Sequence, residues 1–141
     1  MEKAIIIGID LGDTLIAQEM SELKELCKSC NIEVLDQEVQ KLSKINTKTY
    51  IGKGKLEEIK IAINSLDLTV AVFNDELTAS QIRNIEKILE VKIYDRTYLI
   101  LEIFKTRAKT KEASLQVEIA SLEYMLPRLV GMRKYLSRQT A

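Results

Sequence analysis

Several residue types that carry chemistry are scarce or absent in this chain. It has no histidine and no tryptophan, one proline and two cysteines in 141 residues. Histidine is the commonest general base and a frequent zinc ligand, and no closely spaced Ser/Lys pair or paired carboxylates replace it. Cys27 and Cys30 form a lone Cys-x-x-Cys near the end of a predicted helix, whereas redox pairs usually stand where a helix begins. We therefore expect buried structural cysteines, no metal site and no catalytic residues.

Long apolar runs are also missing. No run approaches the ~20 residues that a membrane-spanning helix needs, and residues 1–4 lack the charged-then-apolar order of a signal peptide. We expect a cytoplasmic protein with no membrane partner. With 46% hydrophobic residues and one proline, the chain is expected to bury a single core without long disordered stretches.

The net charge is zero, but the charges are unevenly distributed. Residues 1–104 carry 13 Lys and Arg against 18 Asp and Glu, whereas residues 105–141 carry 8 against 3. A basic segment on an acidic body favours nucleic-acid binding, because lysine and arginine release counterions from phosphates. A solvated coiled-coil surface is the alternative. The candidate nucleic-acid-binding residues are Lys105, Arg107, Lys109, Lys111, Arg128, Arg133, Lys134 and Arg138.

Four segments have the pattern of strands. Residues 3–9, 68–73 and 91–94 are short apolar runs typical of buried strands, and residues 32–42 mix apolar with polar residues in a way that suits a partly exposed strand near a sheet edge. Helices with one apolar face are predicted between them. The alternation predicts an α/β fold in residues 1–96, with a small four-stranded, mainly parallel sheet and flanking helices.

The predicted helices have recognisable ends. Asp13 is a plausible N-cap for the first, and Asn31 tolerates the left-handed conformation that would stop it. The second is expected to begin after Gly52-Lys53-Gly54. The third opens with the capping box formed by Thr78 and Gln81.

Residues 97–141 are predicted to form a helical arm. Within it, apolar residues recur at the alternating four-three spacing of a coiled-coil seam: Leu115, Ile119, Leu122 and Leu126. Pro127 is expected to bend or end the helix nearby. The seam either folds back on the body, pairs between chains in self-association, or belongs to a chain that is truncated before the antiparallel partner helix. We favour truncation, which makes the arm the first half of an antiparallel coiled coil.

The segment Gly52-Lys53-Gly54-Lys55 is a candidate anion or phosphate site. Glycines let backbone amides converge at a helix N-terminus, and the two lysines add charge; a tight turn with solvated lysines is the alternative. GTP hydrolysis requires Gly-x-x-x-x-Gly-Lys-Ser/Thr, which the sequence lacks, since Leu56 follows the second lysine. We therefore expect binding rather than catalysis, with a nucleotide- or ATP-binding α/β domain as one alternative.

Three groups of motifs together resemble the HflX family of ribosome-associated GTPases. They are TYIGKGK at residues 49–55, FNDELT followed by Gln81 and Asn84, and the motifs from Asp95-Arg96-Thr97 to residues 126–129 (LPRL). The resemblance covers most of the chain and implies a small parallel α/β unit, two long antiparallel helices and a P-loop GTPase domain. By this resemblance, the partner helix and the GTPase domain, with its GTP and Mg²⁺, are missing from this chain.

The resemblance also implies a mechanism. The helical arm would reach into the large (50S) ribosomal subunit near the peptidyl-transferase centre, the body would dock on adjacent rRNA, and GTP would control residence during ribosome splitting, rescue or assembly. Three hypotheses thus compete: an rRNA-docking module, a nucleotide-binding domain, and a structural unit that oligomerises through its exposed seam.

Overall fold

The computed structural model describes residues 1–12 and 15–140, and the side chains as far as residue 128. Its centre is a four-stranded sheet with the order β2-β1-β3-β4. The strands are β1 (Glu2–Asp10), β2 (Ile32–Lys41), β3 (Val70–Phe73) and β4 (Lys92–Asp95). All three pairings are parallel, which confirms the predicted sheet.

Burial differs between the central and edge strands. In β1 and β3 nearly every residue is buried, as expected of strands covered on both faces. β2 is an edge strand with alternating exposure, and a bulge at Leu35 shifts its register against β1 between Ala4 and Ile5. The sequence prediction of a partly exposed edge strand is therefore confirmed.

The described residues form five helices, of which the first four pack on the two faces of the sheet and the fifth packs against two of those helices. The helices are α1 (Ile16–Ser29), α2 (Lys53–Leu66), α3 (Ala79–Leu89), α4 (Arg96–Arg107) and α5 (Lys111–Thr140). On one face, α2 and α3 pack on the odd-numbered isoleucines of β1 and on Phe73. On the other, α1 and Leu99 of α4 pack on Ala4, Ile6 and the valines of β3.

Close packing explains why β1 contains Gly8. A Cβ added there would lie 2.5 Å from Met20 Sδ and 3.3 Å from Ile16 Cδ1, so α1 approaches the backbone of β1 closely.

The ends of the helices also follow from local sequence signals. The capping box of Thr78 and Gln81 is confirmed, and Asn31 adopts a φ of 60° after α1. The N-cap of α1 is Leu15, and Asp13 lies outside the described residues.

The helical arm consists of α4 and α5. Of the two outcomes expected at Pro127, a bend or an end of the helix, the end is wrong, because α5 continues through Pro127 to Thr140. A proline inside a helix removes one backbone hydrogen bond and crowds the carbonyl four residues earlier, while the bonds of the other turns can still form. Arg128 also donates a side-chain hydrogen bond to the Tyr124 carbonyl in the same turn. Among the described residues, no helix is both long and apolar enough to cross a membrane.

Candidate functional site

Four of the eight basic residues of the arm surround the connection between α4 and α5. Lys105 and Arg107 lie in the last turn of α4, Lys109 in the connection, and Lys111 at the first position of α5. All four are exposed. Lys105 Nζ lies 3.1 Å from a Glu102 carboxylate oxygen, and the other three form no ion pair within the described residues. Cations also stabilise a helix C-terminus, which accounts for Lys105 and Arg107 but not for Lys111 at the start of α5.

Arg128, also predicted to bind nucleic acid, is turned toward the body. Its side chain is 10% exposed, and its guanidinium donates hydrogen bonds to the carbonyls of Leu77 and Tyr124. It lies 3.6 Å above the centre of the Tyr124 ring, and 3.8 Å from the Glu76 carboxylate. The side chain of Arg128 is therefore engaged by contacts within the protein. Arg133, Lys134 and Arg138 lie in α5, but their side chains are outside the described residues.

The glycine-lysine turn begins α2 with ordinary backbone geometry. Gly52 is the N-cap with φ −64°, Gly54 lies within the helix, and neither has a positive φ. The Gly52 amide donates to Gln40 Oε1 at 3.1 Å. Lys55 Nζ lies 2.9 Å from Glu38 and 3.2 Å from Glu58, and its hydrogen bonds to these carboxylates raise its pKa.

This turn does not match a GTPase phosphate loop. The position that would hold Mg²⁺ is Leu56, which is fully buried in the core, and Lys55 is engaged by two carboxylates. Lys53 is exposed. The residues present therefore do not fit GTP with its Mg²⁺, while binding of a simple anion or of ATP at Gly52-Lys53-Gly54-Lys55 stays a prediction.

The apolar seam of α5 is directed to solvent. Leu115, Ile119, Leu122 and Leu126 are 56%, 48%, 50% and 58% exposed. The side of α5 that meets α3 and α4 instead carries Ser121 and Tyr124. Of the three explanations for the seam, packing of its leucines on the body is thus wrong. A groove of about 380 Å³ lies beside the seam, lined by Lys105, Ala108, Ser114, Val117, Glu118, Ser121, Leu122 and Met125.

Polar side chains join several segments at the carboxyl end of the sheet. Asn74, which follows β3 and is 3% exposed, donates to Glu19 Oε1 at 3.1 Å and accepts from Arg96 at 2.8 and 3.2 Å. Arg96 also donates to the Glu19 carbonyl at 2.7 Å and lies 3.5 Å from Glu22. This carboxyl-end network fixes the loop after β3 to α1 and α4.

The remaining motif residues fix the loop before α2. Gln81 and Asn84 of α3 donate side-chain hydrogen bonds to the carbonyls of Asn46 and Lys48, each at 3.0 Å. Tyr50 donates to Asp75, packs edge-on against Phe73 and has a φ of 68°, while burial raises the pKa of its hydroxyl. Three motif residues, Tyr50, Gln81 and Asn84, thus hold the loop before α2 in place.

Asp95 is a buried carboxylate that joins three separate segments of the chain. It is fully buried, and its carboxylate accepts hydrogen bonds from Leu77 N and Tyr98 N at 2.9 Å and from Tyr124 Oη at 2.7 Å. Burial raises the pKa of Asp95, although these hydrogen bonds oppose the shift. Sequence reasoning missed its link to Tyr124; the only available signal was the Asp95-Arg96-Thr97 motif.

The cysteines have the environment of structural residues. Cys27 lies on the buried face of α1, and burial raises the pKa of its thiol to about 12. Cys30 donates from Sγ to the Leu99 carbonyl at 3.6 Å, and partial burial raises its pKa as well. Raised pKa values disfavour the thiolates that redox chemistry and metal binding require. Within residues 1–12 and 15–128, no cluster of acidic or cysteine side chains has the arrangement of a metal site.

Comparison with known proteins places these features in a family context. Residues 17–105 match the family described as GTP-binding GTPase N-terminal, and residues 107–141 match the GTP-binding GTPase Middle Region. GTPase HflX of Caldanaerobacter subterraneus subsp. tengcongensis is 48% identical over 137 residues, which are 97% of this chain and 32% of that protein. GTPase HflX of Escherichia coli is 34% identical over 98% of this chain and 32% of its own length. The chain thus spans about a third of the length of the curated relatives it matches.

A solved structure shows the same architecture. A GTP-binding protein from the hyperthermophilic archaeon Sulfolobus solfataricus in complex with GDP is 27% identical, with a TM-score of 0.66, over 99% of this chain and 42% of its own. A second complex of SsGBP and GDP is 27% identical with a TM-score of 0.69, over 98% of this chain and 40% of its own. The likeness therefore extends over the body and the arm together.

Proposed function

This chain belongs to the HflX family of GTPases, and from that premise we propose that it supplies the part of the protein that docks on the large ribosomal subunit. Residues 1–96 are the α/β docking body, and residues 97–141 are the arm that carries positive charge to rRNA. The role fits ribosome splitting, rescue or assembly in the cytoplasm.

The observation that carries this proposal is the exposed basic turn between α4 and α5. Lys105, Arg107, Lys109 and Lys111 lie on the surface within one connection and its flanking helix ends. Phosphates attract such a cluster, and the acidic remainder of the chain would orient the basic turn toward RNA. Arg133, Lys134 and Arg138 extend the positive charge along α5 in sequence.

These residues bind rather than catalyse. The sequence contains no Gly-x-x-x-x-Gly-Lys-Ser/Thr motif, and Gly52-Lys53-Gly54-Lys55 is followed by a buried leucine. We propose that GTP and Mg²⁺ act in the P-loop domain of the family, in cis with a helix that covers the α5 seam. Under this proposal the chain positions the GTPase on the ribosome.

The proposal is tested by co-sedimentation of the chain with isolated 50S subunits over a series of salt concentrations. One variant replaces Lys105, Arg107, Lys109 and Lys111 with glutamine. We expect its affinity to fall by at least about tenfold. The dependence of log K on log salt should also become shallower, by nearly one unit for each phosphate that the variant no longer neutralises.

A matched control replaces four exposed lysines of the body, Lys24, Lys28, Lys44 and Lys87, with glutamine. It removes the same charge, so it separates a local basic interface from the net charge of the chain. Docking through the basic turn would be refuted by equal losses in both variants, or by parent binding that is insensitive to salt.

A further inference from the structure

The junction between α5 and the body is mainly polar. In the described part of α5, the two buried side chains are Ser121 and Tyr124, at 8% and 9% exposure. Tyr124 donates to Asp95, while Arg128 reaches the Leu77 carbonyl and the Glu76 carboxylate. The seam residues already face solvent, so separating α5 from the body would newly expose mainly the Tyr124 ring and the half-buried Val117 and Met125.

Two polar atoms of this junction have no hydrogen-bond partner. They are Ser121 Oγ and Arg128 Nε, and the described residues contain no other buried side-chain nitrogen or oxygen in this condition. An unpartnered buried polar atom is costly because it has lost its hydration. Release of α5 would return both atoms to water, which offsets part of the loss of the Asp95 and Leu77 hydrogen bonds.

We propose that Asp95, Tyr124 and Arg128 form a polar clasp that opens to release α5 from α3 and α4 while the sheet stays folded. The clasp connects the carboxyl end of β4 to the middle of α5, so its state sets the direction of α5 relative to α4 and the body. Opening is local, because the two hydrophobic clusters, one on each face of the sheet, contain no residue of α5. The inference does not depend on binding to rRNA.

Hydrogen exchange of the whole chain tests this clasp. Tyr124→Phe removes only the hydroxyl that Asp95 accepts from, and Arg128→Gln removes the guanidinium. In both variants we expect amides of residues 112–128 to exchange at least about tenfold faster, as the loss of a hydrogen bond to a charged group implies. Amides of β1 and β3 should keep their parent rates.

Tyr98→Phe is the matched control, since it removes a tyrosine hydroxyl from the neighbouring helix and leaves the clasp intact. It should leave the exchange of α5 unchanged. The clasp would be rejected if α5 and the sheet accelerated by the same factor in the clasp variants, which indicates global unfolding. Unchanged exchange of α5 in both clasp variants, or equal acceleration in Tyr98→Phe, would reject it too.

Discussion

Arg96 connects three segments of the chain at the carboxyl end of the sheet. Its guanidinium donates to Asn74 after β3 and to the Glu19 carbonyl of α1, and it lies near Glu22. Asn74 is almost fully buried, so its side-chain oxygen depends on this arginine for a partner. Arg96 belongs to a sequence motif, and its hydrogen bonds between segments give a physical reason for its place in that motif.

Replacing Arg96 with methionine should lower the free energy of unfolding by about 1–3 kcal/mol, because Asn74 Oδ1 and the Glu19 carbonyl would lose their donor. Arg83→Met is the control, since Arg83 is exposed on α3 and its loss should change stability by less than about 0.5 kcal/mol. Urea unfolding followed by circular dichroism measures both. Equal effects of the two substitutions would contradict this role for Arg96.

The strands and helices follow from periodicity, whereas their polar connections do not. Continuous apolar runs predicted the buried strands, and Thr78 with Gln81 predicted a helix start, because these signals are local. Tyr124 and Asp95 are separated by 29 residues, and nothing in their spacing signals a contact. The positive charge of Arg128 predicts a contact with RNA, but charge alone does not show that its side chain turns toward the body.

The coiled-coil seam on α5 was predicted from spacing, and its partner cannot be derived from this chain. Since four large apolar residues are about half exposed, we expect the chain to self-associate at high concentration. Leu122→Lys should raise the dissociation constant by at least about tenfold, because it removes a leucine from the contact and adds a charge. Sedimentation velocity over a range of concentrations measures this.

Gln116→Lys provides the control for charge, because Gln116 is exposed on α5 and is not one of the four seam residues. Its dissociation constant should match that of the parent chain. A parent chain that stays monomeric at all concentrations would rule out the seam as a self-association surface, as would equal weakening by Gln116→Lys.

The whole molecule combines a buried core with several ionisable groups that favour their neutral form. Burial raises the pKa of Cys27 to about 12 and also raises those of Tyr50 and Tyr124. In the unfolded chain these groups lose their protons at lower pH, near 9 for the thiol and near 10 for the phenols. Alkaline solution therefore favours the unfolded state, and stability present below pH 9 is lost as the pH rises.

The free energy of unfolding should decrease as the pH rises above 9, by about 1.4 kcal/mol per pH unit for the Cys27 thiol alone while it titrates only in the unfolded chain. Cys27→Ala removes this titration. The variant should be less stable at neutral pH because of the cavity, but its stability should decrease less steeply between pH 9 and 10. Urea unfolding under reducing conditions measures both slopes, and identical slopes would contradict the prediction.

The bulge at Leu35 has a consequence for the outer side of β2. A strand of this length at a sheet edge normally offers a row of free amides to any other extended chain. Here the register shift interrupts that row, and the Asp36 carboxylate accepts the Gln37 amide at 2.8 Å. Glu33 adds a negative charge to the same edge. We therefore expect β2, the edge strand of the four-stranded sheet, to resist edge-to-edge pairing with other chains.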